Sequence, residues 1–131
     1  MDNFTRGYIE AALWISTDES DESGGEPMDA NYSESDIAAD SLARMALDCE
    51  RFQSTYADLL SAHKDAREPW NTAEWTFEEM AGHDFWLTRN GHGAGFWDRG
   101  IGELGEHLSH VARECGSCDL YIGDDGRIYA A

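Results

Sequence analysis

The sequence predicts an α+β fold: N-terminal helices packed on a small antiparallel sheet of two β-hairpins, with a helix between the hairpins. Three observations carry this. Apolar residues in the first half recur at steps of three and four, the period of a helix with one buried face. Two dipeptides of hairpin type, Asn90-Gly91 and Asp125-Gly126, sit between short alternating flanks. A further three-four stripe, Ile101, Leu104, Leu108, Val111 and Cys115, lies between those turns. The 131 residues suit a single domain, 1–131, with an acidic loop at about 17–34.

Five Trp, five Tyr and five Phe within 41% hydrophobic residues supply enough apolar surface for a packed core and argue against a disordered chain. No apolar run approaches the roughly 18–20 residues that span a bilayer, and no basic start precedes an apolar block. The expectation is a cytoplasmic protein with no membrane partner. Three cysteines, Cys49, Cys115 and Cys118, are too few and odd in number for a disulfide framework, which suits a reducing compartment.

Charge is the dominant global property. Twenty-seven acids face nine bases, a net of -18, where small soluble domains usually carry a magnitude of about 2–8. Such a chain repels nucleic acid and anionic lipid and attracts basic surfaces. Solubility, or adaptation to a salty host, is the plainer explanation of the same excess.

In chain order, residues 4–16 place Tyr8, Ala12 and Ile15 on one helical face with Ile9 and Leu13 beside it, and leave Trp14 off its centre. Residues 18–40 then carry no base, and Gly24-Gly25 and Pro27 disfavour regular structure there. A calcium loop of EF-hand type fails on spacing: starting at Asp18 puts Ser23 where Gly is required, and starting at Glu19 ends on Ala30. Ser33 with Asp36 reads as a helix N-cap, with Tyr32 and Ile37 placed as a hydrophobic staple. The stripe Leu42, Met45, Cys49, Phe52, Tyr56, Leu59, His63 predicts one continuous helix over 36–64, about 43 Å long.

Asn71 with Glu74 offers a second capping box, predicting a helix over 72–81 that ends at Gly82. The stretch HDFWLTRNGHGAGFWDRG, 83–100, follows. A two-residue turn at Asn90-Gly91 pairs Leu87 with Ala94, Phe85 with Phe96 and His83 with Asp98 on a core face. Thr88 with Gly93, Trp86 with Gly95 and Asp84 with Trp97 form the other. The next helix covers 101–115 and ends at Gly116, weakened by Gly102 and Gly105. A last hairpin pairs Ile122 with Tyr129 and Asp124 with Arg127.

Three constellations bear on chemistry. His107, His110, Cys115 and Cys118 are zinc-type ligands, but the CxxC ends a helix and Cys115 lies on an apolar stripe, so they remain weak metal candidates. His83, His92 and Asp98 can be read as a catalytic group; no nucleophile elbow accompanies them, and GHGAG lacks the Lys-Ser/Thr of a phosphate loop. They define a runner-up, a small enzyme or metal-binding domain centred on 83–98. The third constellation is the acid itself, Asp18, Glu19, Asp21, Glu22, Glu26, Asp29, Asp36, Asp40 and Asp48, to which Asp84, Trp86 and Trp97 add the hairpin face that packing leaves unexplained. Duplex DNA carries about one negative charge per 1.7 Å, and rows of carboxylates on a long helix can occupy a groove built for it.

The pieces FTRGYIEAALWISTDES, GEPMDANYS, HDFWLTRNGHGAGFWDRG and DLYIGDDGRIY resemble a family of small acidic proteins of bacteriophages and related mobile elements. The resemblance implies a phage setting in the cytoplasm of an infected bacterium. It carries over no catalytic residues. Together with the charge it yields the expected function: an acidic, non-enzymatic binding protein that mimics DNA and inhibits a basic host protein of defence or repair, one that itself binds nucleic acid. No cofactor and no direct nucleic-acid contact are expected. A phage accessory interaction protein without mimicry is the further alternative.

Overall fold

The computed structural model describes residues 1–19, 25–66, 75–92, 95–96 and 102–131. Helix α1 (Asn3–Ile15) starts at Asp2, whose carboxylate accepts the Thr5 backbone N–H at 2.8 Å and so satisfies a donor that a helix start leaves open. Tyr8, Ile9, Ala12 and Leu13 of its apolar face are buried as the periodicity predicts, with Phe4 added; Ile15 is half-buried and Trp14 is 54% exposed. The ends of the acidic loop pair as a short antiparallel ladder, β1 (Thr17–Asp18) on β2 (Glu26–Pro27). Single 3-10 turns at Met28–Ala30 and Glu34–Asp36 follow.

The Ser33 cap forms, with the Asp36 carboxylate accepting the Ser33 N–H at 2.8 Å, but it closes only the second 3-10 turn. The expected continuous helix over 36–64 is two helices, α2 (Ala39–Thr55) and α3 (Ala57–Ala66), broken at Tyr56. Ser54 and Thr55, weak helix formers whose hydroxyls compete for backbone, precede the break. The stripe itself survives: Met45, Cys49, Phe52 and His63 are all buried.

Helix α4 (Phe77–Arg89) occupies the stretch where the sequence predicts the end of one helix and the first strand of a hairpin. The start is capped by Thr76, which accepts the Glu79 N–H at 3.1 Å while the Glu79 carboxylate accepts the Thr76 N–H at 3.4 Å. The Asn71 box lies outside the described residues. Gly82, read from sequence as a terminator, lies mid-helix because α1 presses against it: a Cβ there would overlap the Phe4 carbonyl oxygen. Gly7 meets the Glu79 carbonyl in the same way, so the two helices touch backbone to backbone.

The hairpin over 83–98 therefore does not form, since its first strand is the second half of α4. Asn90-Gly91 ends a helix instead of turning a ladder. The Gly91 N–H donates to the Thr88 carbonyl at 3.1 Å, the His92 N–H donates to the Leu87 carbonyl at 3.0 Å, and Gly91 has φ 73°. These are the two bonds and the left-handed residue of a Schellman motif. The pairings of Leu87, Thr88, His83 and Asp84 with Ala94, Gly93, Asp98 and Trp97 fall on partners outside the described residues. Phe96 is buried, and its N–H donates to Thr88 Oγ1 at 3.2 Å.

Helix α5 (Glu103–Glu114) matches its expected span, with Gly116 following at φ 77°. The last hairpin forms, β3 (Leu120–Ile122) on β4 (Ile128–Ala130), but slipped by one residue: Ile122 faces Ile128 and Tyr121 faces Tyr129. The Gly126 N–H donates to the Gly123 carbonyl at 3.0 Å and Gly126 has φ 79°, a three-residue loop in place of the expected two-residue one. Burial selects this register, because a one-residue slip exchanges the faces, and Ile128 is fully buried.

Beta-strand β4 docks on the start of α2: the Ala38 N–H donates to the Ile128 carbonyl at 2.8 Å, and the Ala130 N–H donates to Ser41 Oγ at 3.0 Å. The fold is α+β, mostly helical, with two separate two-stranded sheets among the described residues. Phe85 is the centre of the core, its ring 4.1 Å from that of Phe52, 5.4 Å from Tyr8 and 5.9 Å from Phe4.

Candidate binding groove along the first and fourth helices

The sequence-predicted residues are dispersed. His83 sits within α4 and His92 beyond its end, where His92 stacks on Trp86 at 5.1 Å. Asp98, Trp97, Asp21 and Glu22 lie outside the described residues. Asp84 and Trp86, expected on an open hairpin face, are buried, because helical geometry turns both into the core. Among the described residues Trp86 Nε1 has no hydrogen-bond partner. His107, His110 and Cys115 are exposed while Cys118 is fully buried. No group of three metal-type ligands converges among the described residues. The helix α5 points its two histidines to solvent, and the CxxC spans its C-terminal exit.

Arg89, at the end of α4, is a buried structural clamp. Its guanidinium donates to the Tyr8 hydroxyl at 3.0 Å, to Asp48 at 3.0 Å, and to the carbonyls of Cys115 and Gly116 at 3.0 and 2.7 Å. A cation on those carbonyls also answers the negative end of α5. Burial pushes the Tyr8 hydroxyl far above its ordinary range, with Arg89 opposing. Burial disfavours the charged guanidinium as well, but the contacts with Tyr8 and Asp48 outweigh it and hold Arg89 protonated. Asp48, half-buried, is thereby paired with an internal cation. Asn90 completes the clamp, donating to the Trp86 carbonyl at 2.9 Å and accepting the Cys118 N–H at 2.8 Å.

Most other acids of the described residues face solvent. Glu19, Glu26, Asp29 and Asp40 are exposed, and Asp18 and Asp36 half-buried. Lys64 pairs with Glu78 at 3.4 Å and His110 with Glu114 at 2.8 Å on the surface. With Arg89 facing inward, few bases remain to offset the carboxylates.

One concave site stands out, a groove of about 690 Å³ along the α1–α4 seam. This lies within the roughly 300–1,000 Å³ of ligand pockets. Its floor is Ile9, Leu13 and Met80; Trp14 and Trp75 form aromatic walls, and the acidic loop closes it with Asp29, Tyr32 and Glu34. His83 lies between the tryptophans, its ring 5.6 Å from Trp14 and 6.1 Å from Trp75, edge-on to the latter. Arg6 and Glu10 complete the α1 edge. Burial raises the Glu10 pKa, neighbouring Glu79 adds to it, and Arg6 counters both.

Sequence reasoning missed this groove. Its signal was Arg6, Glu10 and Trp14, spaced by four along α1 beside the apolar face, a stripe that core packing does not require. The site suits recognition: flat rings and an apolar floor, ringed by carboxylates, offer surface and field to a partly apolar cation. Comparisons with protein-family models, curated proteins and solved structures found no match. The chemistry of the groove and of the surface therefore carries the functional argument. No helix among the described residues is long and apolar enough to cross a membrane.

Proposed function

We propose that this chain is an acidic, non-enzymatic binding protein that engages a basic protein of an infected bacterial host, one whose basic surface serves nucleic acid. The observation that supports it most is uncompensated charge: twenty-seven acids face nine bases, and one of those bases, Arg89, is buried among internal partners. A field of that sign speeds encounter with a basic surface and rejects nucleic acid itself.

DNA mimicry is the finer form of the proposal. The break at Tyr56 and the pairing of Asp48 with Arg89 weigh against a carboxylate row along one straight helix, so mimicry would rest on acids of several elements. The runner-up enzyme would use His83, His92 and Asp98 on a hairpin; His83 lies within α4, His92 lies beyond its end, and Asp98 lies outside the described residues.

Capture from bacterial lysate on immobilised protein tests the proposal. It predicts recovery of nucleic-acid-binding proteins, fading by about 0.5 M salt as released counterions lose their advantage. Partners without a basic surface, or capture indifferent to salt, would overturn it. Displacement of a labelled duplex from the captured protein distinguishes mimicry from accessory binding at another face.

A further inference from the structure

We infer that the α1–α4 groove is a docking site for a short segment of a partner protein that presents a Lys or Arg side chain beside an apolar one. This deepens the proposed function, on which it rests for the basic character of the partner, by naming where and how that partner is gripped.

Charge complementarity chooses the occupant. Among the described residues Glu10, Asp29 and Glu34 line the groove beside one arginine, Arg6, so the wall repels an anionic ligand and attracts a cationic one. Trp14 supplies the second half of the argument. It is 54% exposed on a helix whose Phe4, Tyr8, Ile9 and Leu13 are buried. A wide exposed indole beside carboxylates is a receptor for a guanidinium or ammonium. The floor of Ile9, Leu13 and Met80 matches the apolar neighbour in the segment. The volume of about 690 Å³ exceeds a single side chain, so several residues of an extended segment enter.

The test titrates the full chain with the synthetic peptide Ac-LKLK-NH2, following indole and amide NMR shifts, with Ac-LELE-NH2 and Ac-GKGK-NH2 as comparisons. The expected result is saturable one-to-one binding with the largest shifts at Trp14 and His83. The acidic peptide should be silent, and the glycine peptide weaker by about fivefold or more as the apolar contact is lost. Trp14→Ala, at an exposed position, should fold normally and weaken Ac-LKLK-NH2 by about fivefold. Glu10→Gln should weaken it less.

Equal binding of the acidic peptide, equal binding of the glycine peptide, or shifts centred on α2 or α5 would overturn the docking site. Trp14→Ala also separates the two proposals. If it still captures basic proteins from lysate at wild-type strength, the groove assignment falls while the function stands. If the wild type binds Ac-LKLK-NH2 in the groove yet captures no basic protein, the reverse holds.

Discussion

Gly82 and Phe4 meet backbone to backbone: a Cβ on Gly82 would overlap the Phe4 carbonyl oxygen. Alanine is the better helix former by about 1 kcal/mol, so propensity alone predicts that Gly82→Ala stabilises α4. The contact reverses the sign, because the obstructing atom is main chain and cannot swing away. Gly82→Ala is expected to cost about 1–3 kcal/mol. Urea denaturation checks it through a lower midpoint at unchanged slope.

Arg89 predicts a second, larger loss. Replacing it by Met leaves the Tyr8 hydroxyl and the Cys115 and Gly116 carbonyls without their donor and Asp48 without its cation. Breaking a buried pair from one side costs about 3–5 kcal/mol. Asp48→Asn should cost less, about 1–2 kcal/mol, since the Asp48 side chain is 24% exposed. Arg89→Lys should fall between, because an ammonium cannot span four acceptors. Chemical denaturation of the three variants orders them.

Asp2 predicts a pH dependence. Partial burial raises its pKa, but hydrogen bonds from Thr5 and Gln53 outweigh that, so it titrates below the ordinary aspartate value of 3.8. A depressed carboxylate contributes stability that is fully present above the unfolded value and is lost as pH falls through the folded one. Asp2→Ala should therefore cost about 1 kcal/mol at neutral pH, as N-cap losses do. The gap in melting temperature from wild type should close as pH drops below 3.8. A gap that persists in acid would show that the carboxylate is not the capping group.

The cysteines should react in a set order. Cys49 and Cys118 are buried and Cys115 is exposed. Burial pushes the Cys49 thiol far up and that of Cys115 more modestly, with Arg89 opposing both. A thiol-disulfide reagent at pH 8 (about half a unit under a free thiol's pKa) should modify Cys115 first, and slowly. Cys49 and Cys118 should follow only in denaturant. Fast reaction of Cys49 in the native state would place it outside the core.

The helical stripes were legible because burial on one face imposes a spacing that residues carry individually. Met45, Cys49, Phe52 and Leu108 all went where their period put them. Asn90-Gly91 was not legible. A left-handed Gly serves a Schellman cap and a hairpin turn alike, and the alternating flanks suited either. The packing of α1 on Gly82 decided for the helix. The C-terminal turn showed the same limit at finer scale, where Asp125-Gly126 marked a hairpin and the burial of Ile128 chose its register.

The sequence alone determined the charge, the class and the helical faces, since these depend on composition and on spacing within a few positions. Only the tertiary structure decided that Gly82 continues a helix, that Arg89 faces inward, and that Trp14, Trp75 and His83 share one groove with Glu10 and Asp29. Those outcomes join residues far apart in the chain, and no local spacing records which distant backbone will press on a glycine or which carbonyls will meet a guanidinium.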